Sequence, residues 1–199
     1  MAVLVFADVL DGKVTKSSLE AVHYGSKVAA QAGTDNVVVT YGNADDADLA
    51  ALGKFGASKV LVNRSVTDMD PGKLSRLVVA ATESTSADII IFSQDYTGKS
   101  VSPLVSAKLK AGMVAGAVDY PDMSNGFVVK KSVFSGKAFA DVKVNTDRKI
   151  VAIIPNAIGK EEGEGTAAVE AFDADLGDSR IRVKEVKLET SGDMVPLPE

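Results

Sequence analysis

Asp88-Ile-Ile-Ile-Phe92, then Ser93-Gln-Asp-Tyr-Thr-Gly98-Lys99-Ser100, then Val101-Ser-Pro-Leu-Val-Ser-Ala-Lys-Leu109-Lys-Ala-Gly112 is the stretch that decides the fold. Ile89 to Phe92 is apolar without interruption, as a strand covered on both faces requires. Val101, Leu104, Val105 and Leu109 then recur at helical spacing, and Gly112 closes the segment. Between them Ser93 to Lys99 reads as a polar loop. The unit is a strand, a loop and a helix, and it recurs upstream. Ala2-Val-Leu-Val-Phe-Ala7 is a second buried strand, and Asp11-Gly12 turns the chain. Ser17-Ser-Leu-Glu20 offers a capping box, with Ser17 as N-cap and Glu20 reaching back to it. Leu19, Val22, Ser26 and Ala29 form the stripe of the helix that follows, which Gly33 ends. Asn36 to Tyr41 and Lys59 to Asn63 are further strands. A short helix lies around Ala47, Leu49 and Leu52, and another follows Asp70-Pro71 with Leu74, Leu77, Val78 and Ala81 on one face. Strands alternating with helices at this spacing predict a three-layer α/β fold: a mostly parallel sheet with helices on both faces.

Beyond residue 112 the pattern changes. Phe127 to Phe134 and Ala138 to Val144, joined across Gly136, predict an antiparallel hairpin. Lys149 to Ile154 is one more buried strand, stopped by Pro155. Glu161 to Gly165 is a glutamate- and glycine-rich loop, and Thr166 to Phe172 reads as one or two helical turns. Arg180 to Leu188 alternates charged and apolar residues, as a strand with one wet face does. The predicted organisation is one α/β domain over 1–189 with C-terminal antiparallel strands, and a linker or tail over 190–199.

Composition narrows the function. Of 199 residues 46% are hydrophobic, enough for a core that needs no stapling, and no cysteine is present. That excludes disulfides, thiolate metal sites and cysteine nucleophiles. Twenty-two basic against 27 acidic residues give a net charge of −5, the wrong sign for a nucleic-acid binder. The one basic pair, Lys130-Lys131, sits in the alternating hairpin segment and reads as its solvated face. No apolar run reaches the roughly 18 residues that span a bilayer, and the N-terminal MAVLVFADVLDGK has no signal-peptide pattern. A cytoplasmic location without membrane insertion is the expectation.

Motifs for self-sufficient chemistry are weak. Ser93 to Ser100 matches the phosphate loop G-x-x-x-x-G-K-[ST] everywhere except its first position, where Ser93 replaces the glycine that lets backbone amides wrap a phosphate. The plain reading is a polar strand-to-helix loop. The dinucleotide fingerprint is absent. His23 is the sole histidine and reads as a surface or half-buried helix residue; Asp45, Asp46 and Asp48 read as charge at a helix start rather than a calcium loop. There is no catalytic triad signature, and neither catalytic residues nor a metal site are expected.

Taken in series, these segments resemble the electron transfer flavoprotein α subunit. The stretch Asp88 to Val114 is similar to that family's strand, polar Gly-Lys loop and helix, with Gly98-Lys99, Pro103, Ala107-Lys108-Leu109 and Gly112 in place. Val101 stands where the family has Leu, and Leu104 where it has Arg. Phe134-Ser-Gly-Lys-Ala138 resembles its Tyr-x-Gly-Asn-Ala segment, with Lys137 for Asn, and Lys149 to Pro155 its Val-x-Thr-Val-Arg-Pro strand, without the arginine. The resemblance runs from residue 2 to about 190. It implies the family's N-terminal domain, an adenine-nucleotide-hydrolase-like α/β unit that packs on a β subunit while FAD is held mainly by a second, C-terminal domain. The chain stops at Pro196-Leu-Pro-Glu199, where that family's linker would enter the FAD domain. The expectation is therefore a chain that lacks the FAD domain and does not hold FAD alone.

Two functions follow as expectations. In the first, the chain is a component of an electron carrier and no catalyst itself: it scaffolds the FAD-containing heterodimer with the β subunit, which takes electrons from dehydrogenases to an acceptor. In the second, it is a stand-alone adenine-nucleotide-binding module resembling universal stress proteins. Its site would lie at the carboxyl ends of the parallel strands, lined by Asp8, Ser93, Gly98, Lys99 and Ser100, with Lys99 meeting a phosphate at the helix N-terminus. A hydrolase on this fold has only the incomplete phosphate loop behind it.

Overall fold

Five short apolar runs become the middle of one sheet. The structure is a computed structural model that describes residues 2–179 and 181–185. Its elements are β1 (Ala2–Phe6), the small hairpin β2 (Val9–Leu10) and β3 (Lys13–Val14), α1 (Lys16–Ala32), β4 (Asp35–Tyr41), α2 (Asp46–Ala50) running into a 3-10 turn (Ala51–Phe55), β5 (Lys59–Asn63), α3 (Pro71–Thr85), β6 (Ile89–Ser93), α4 (Tyr96–Leu109), β7 (Gly112–Ala117), β8 (Phe127–Val133), β9 (Ala138–Val144), β10 (Lys149–Ile153) and β11 (Ala168–Ala171). The main sheet has nine strands in the order β11-β5-β4-β1-β6-β10-β7-β8-β9. Every neighbouring pair from β11 to β7 is parallel; β8 and β9 are antiparallel. The expected three-layer α/β architecture is thus present.

Alternate residues of each strand feed two cores. Val3, Val5, Val38, Ile91 and Val151 face α1, where Ala21, Val22, Tyr24 and Val28 meet them. Leu4, Phe6, Val39, Ile90, Phe92 and Ile150 face α3 and α4, against Leu74, Leu77, Val78, Val101 and Val105. Such residues contribute roughly 1.5–3 kcal/mol each on burial. The layer containing α1 is completed by strands rather than by a helix. Gly116, at φ 87°, is the extra residue of β7: Ala115 and Ala117 pair with consecutive residues Ala152 and Ile153 of β10. This bulge, in a conformation open to glycine, bends the chain. Phe127, Val129 and Val144 of the β8–β9 hairpin consequently join the α1 core, and Tyr120 stacks on Tyr24 at 5.0 Å.

Several local expectations are corrected. The N-cap of α1 is Thr15, whose Oγ1 accepts from the Ser18 amide, so Ser17 is already helical and Glu20 does not close a capping box. There is no polar loop to Lys99: α4 begins at Tyr96, capped by Asp95. Its C-cap is Lys110 rather than Gly112, which opens β7. Thr166 to Phe172 forms no helix, because Ala168–Ala171 pairs with Lys59–Val62 of β5 as an edge strand. Ile181–Glu185 carries no strand, and the rest of the expected Arg180–Leu188 strand and the 190–199 tail lie outside the described residues. His23 is buried, not superficial, at 7% exposure.

Candidate functional site

The strand order reverses direction at β1, with β4 on one side and β6 on the other. Open α/β sheets place ligands in the crevice that this reversal leaves at the carboxyl ends of the strands. Here that crevice is bounded by the residues after β1, the end of β4, the β6–α4 turn and the start of α1. Polar side chains of the chain itself meet in it. The Asp8 carboxylate accepts the Tyr41 hydroxyl at 2.6 Å, and the Asp8 amide donates to Ser18 Oγ at 2.8 Å. Asp95 accepts the Gly98 amide on Oδ1 at 2.9 Å and the Ser17 hydroxyl on Oδ2 at 2.8 Å. One carboxylate thereby caps α4 and ties it to the first turn of α1.

Electrostatics follow from this crowding. Burial pushes the Asp8 carboxyl above its usual range; bonds from Tyr41 and Thr97 oppose that, and the nearby Asp95 charge adds to the rise. Tyr41 is held well above the ordinary phenol range, by burial first and then by its bond to Asp8. Two acidic groups in one crevice make a poor seat for a polyphosphate. The α4 N-terminus, whose amides would otherwise attract an anion, already has one in Asp95.

A second donor set lies after β10. The loop containing Asn156 and Gly159, at φ 65° and 79°, turns the amides of Asn156, Ile158 and Gly159 toward one point, and Glu20 of α1 fills it. Its Oε2 accepts Asn156 at 2.7 Å, and its Oε1 accepts Ile158 and Gly159 at 2.9 and 2.8 Å. Such convergent amides form an anion nest. This nest is occupied by a side chain that is only 4% exposed.

The sequence-derived candidates divide accordingly. Asp8, Ser93 and Gly98 sit at the crevice; Lys99 and Ser100 are in the first turn of α4. Ser93 is buried, and its Oγ has no partner among the described residues. Gly98 is packed against the Ser93 carbonyl so closely that a Cβ would lie 1.8 Å from that oxygen. The Lys99 amide donates to the Asp95 carbonyl at 2.9 Å while its side chain is exposed, and the Ser100 hydroxyl returns to Tyr96 O at 3.0 Å. Sequence reading missed Tyr41, Asp95, Ser17 and Glu20. Asp95 carried a usable signal, an acidic residue three positions before a glycine at a helix start. Glu20 carried none, since its partners lie 136 to 139 residues away.

The remaining chemistry is sparse. His23 faces Lys27 and Glu161; burial, then Lys27, lowers its pKa, while Glu161 works the other way. Among the described residues no group of three or more His, Cys, Asp or Glu side chains could hold a metal ion. A cavity of about 620 Å³ opens at the opposite, amino ends of the strands, lined by Ala2, Ile89, Phe127, Lys143 and Lys149 among others. The crevice is thus laced by side chains of its own, Asp8 to Tyr41 and Asp95 to Ser17.

Against known proteins, residues 3–176 match the electron transfer flavoprotein domain. The chain belongs to that family. It is 28% identical to the electron transfer flavoprotein subunit alpha of Bacillus subtilis (strain 168), over 99% of this chain and 61% of that protein. With the subunit alpha of Syntrophomonas wolfei the identity is 24%, over 90% and 57% of the two chains. With Protein FixB of Clostridium saccharobutylicum it is 22%, over 99% and 61%. The chain thus spans about 60% of the length of the curated relatives it matches. No helix among the described residues is long and apolar enough to cross a membrane.

Proposed function

We propose that this chain is a scaffold domain of an electron carrier: the N-terminal domain of an electron transfer flavoprotein α subunit, supporting a heterodimer with a β subunit. The family gives the carrier. The observation that supports the scaffold role is the occupancy of both amide clusters, by Asp95 at α4 and by Glu20 at the 156–159 loop. A domain whose anion-binding amides are satisfied internally offers its surface, rather than a pocket, to the complex. FAD in this reading is held by the family's second domain. When bound, it supplies the one- and two-electron chemistry. This chain's residues position the partner subunits and carry electrons in no bond of their own. Dehydrogenases as donors and a downstream acceptor belong to the complete complex.

The test is a visible absorption spectrum of the purified chain, alone and after adding FAD and the β subunit. A protein that remains colourless after desalting, yet co-elutes with the β subunit, agrees with the scaffold. Retained flavin bands in the chain alone refute the placement of FAD.

The nucleotide-module reading retains one observation, the buried Ser93 Oγ at the end of β6, which has no partner among the described residues. ATP and AMP titrated by calorimetry decide it. Micromolar binding that Lys99→Ala abolishes would select this reading, and an absence of heat removes it.

A further inference from the structure

The β8–β9 hairpin presents an unusual surface for a chain of net charge −5. Its ladder runs unbroken from Phe127↔Val144 to Val133↔Ala138. Strand alternation turns Phe127, Val129, Val142 and Val144 inward, where they pack in the α1 core. It turns Lys130, Ser132, Phe139, Asp141 and Lys143 outward. Phe139 is 65% exposed, and Phe134 at the tip is 78% exposed. Over 127–144 the hairpin carries four lysines and one aspartate, so the positive surplus sits on one projecting element of an otherwise acidic chain. Lys130 is matched by Asp119 at 3.5 Å and lies opposite Asp141 in the ladder. Lys137 and Lys143 have no ion pair among the described residues.

The tip is also held against local preference. Phe134 and Ser135 have φ of 51° and 52°, in a turn closed by the Lys137 amide on the Phe134 carbonyl at 3.2 Å. A bulky side chain in the left-handed region is disfavoured, and such residues cluster at binding and switch regions. Burial does not compensate here, because the ring stands in water. Exposed aromatics on a hydrogen-bonded frame that also carries charge are the composition of interface anchors.

We infer that the outer face and tip of the β8–β9 hairpin dock a second protein subunit, through Phe134 and Phe139 inserted into apolar depressions rimmed by acidic side chains on that partner. Charge complementarity sets the sign of the rim: Lys137 lies in the turn between the two rings, Lys143 stands four residues beyond Phe139 on the same outward row, and neither has an ion pair among the described residues. A polyphosphate backbone is disfavoured by Asp141 between the lysines and by the net charge of the whole. The inference rests on the scaffold reading for its probe, the β subunit of the same organism's electron transfer flavoprotein.

The experiment titrates the full chain with that β subunit by calorimetry, using wild type, Phe134→Ser/Phe139→Ser and Lys137→Glu/Lys143→Glu. Circular dichroism melts verify that all three fold. The aromatic pair is expected to weaken binding at least 100-fold, as loss of central aromatic anchors does. The charge reversal is expected to weaken binding about tenfold and to flatten its salt dependence. Wild-type binding that both variants retain overturns the surface and leaves the scaffold reading standing. No binding by wild type overturns both. Self-association of wild type that the aromatic substitutions abolish, without β-subunit binding, gives the face to a second copy and overturns the chosen partner. RNA binding that is lost in the lysine variant overturns it equally.

Discussion

Replacing Glu20 tests the internal occupancy of the 156–159 nest most directly. Its carboxylate accepts three backbone amides at 2.7 to 2.9 Å from a side chain 4% exposed. A hydrogen bond to a charged group contributes about 1.5–3 kcal/mol, and a buried amide left without a partner costs about 1–3 kcal/mol. Three simple sums would overshoot, because the loop is partly exposed and water can reach it once the carboxylate is gone. For Glu20→Ala a loss of about 3–5 kcal/mol is expected, a fall in Tm on the order of 10 °C for a domain of this size. Glu20→Gln keeps the oxygen that serves two amides if the amide group is turned toward Asn156, where two donors then face each other. Its cost is therefore smaller, about 1–3 kcal/mol. Urea unfolding measures the totals, and hydrogen exchange locates them: the Asn156, Ile158 and Gly159 amides should lose protection ahead of the sheet. An alanine variant within 1 kcal/mol of wild type, with those three amides still protected, would refute the reasoning.

Other expectations rest on separate contacts. Gly98→Ala forces a methyl toward the Ser93 carbonyl, 1.8 Å away before relaxation; α4 must shift, and a loss of about 2–3 kcal/mol in urea unfolding is expected. Asp95→Asn keeps a competent cap for α4 but removes the charge facing Asp8. Stability should stay within about 1 kcal/mol, while the Asp8 titration seen by carboxyl NMR moves to lower pH. His23 titrates below its ordinary value in the folded state, so its contribution is intact above about pH 6.5 and lost as pH falls through the folded pKa. Wild type should therefore lose more stability than His23→Gln between pH 7 and 5, and parallel curves would contradict this.

The sheet was largely legible and the site was not, for a physical reason. Strands buried on both faces carry an uninterrupted apolar run, so Ala2–Phe6, Lys59–Asn63 and Ile89–Ser93 announce themselves through Val3–Phe6, Val60–Val62 and Ile89–Phe92. Gly112–Ala117 does not, because a strand that must bend at a bulge carries two glycines and resembles a loop. Ala168–Ala171 reads as helical by sequence because an alanine-rich edge strand is held by its neighbour β5 and not by its own propensity. The cap of α1 lies two residues before the Ser17 that the sequence suggests, at Thr15, and α4 begins at Tyr96, inside the stretch to Lys99 that reads as a loop. Polar side chains in the crevice acquire meaning only from partners distant in sequence. Tyr41 meets Asp8 33 residues away, and Ser17 meets Asp95 78 residues away.

Strand β11 has a consequence for how the chain is made. It closes the free side of β5, and the Asn63 side chain donates to the Phe172 carbonyl across 109 residues. A ribosome adds roughly 5–20 residues per second, so β5 waits on the order of 5–20 s for that neighbour during synthesis. Throughout the interval the nascent sheet offers an unpaired edge, the template on which strands of other molecules add. The last parallel strand thus guards the newborn chain as much as it completes the finished one, and the interval before it docks is when a holdase chaperone would find the most to bind.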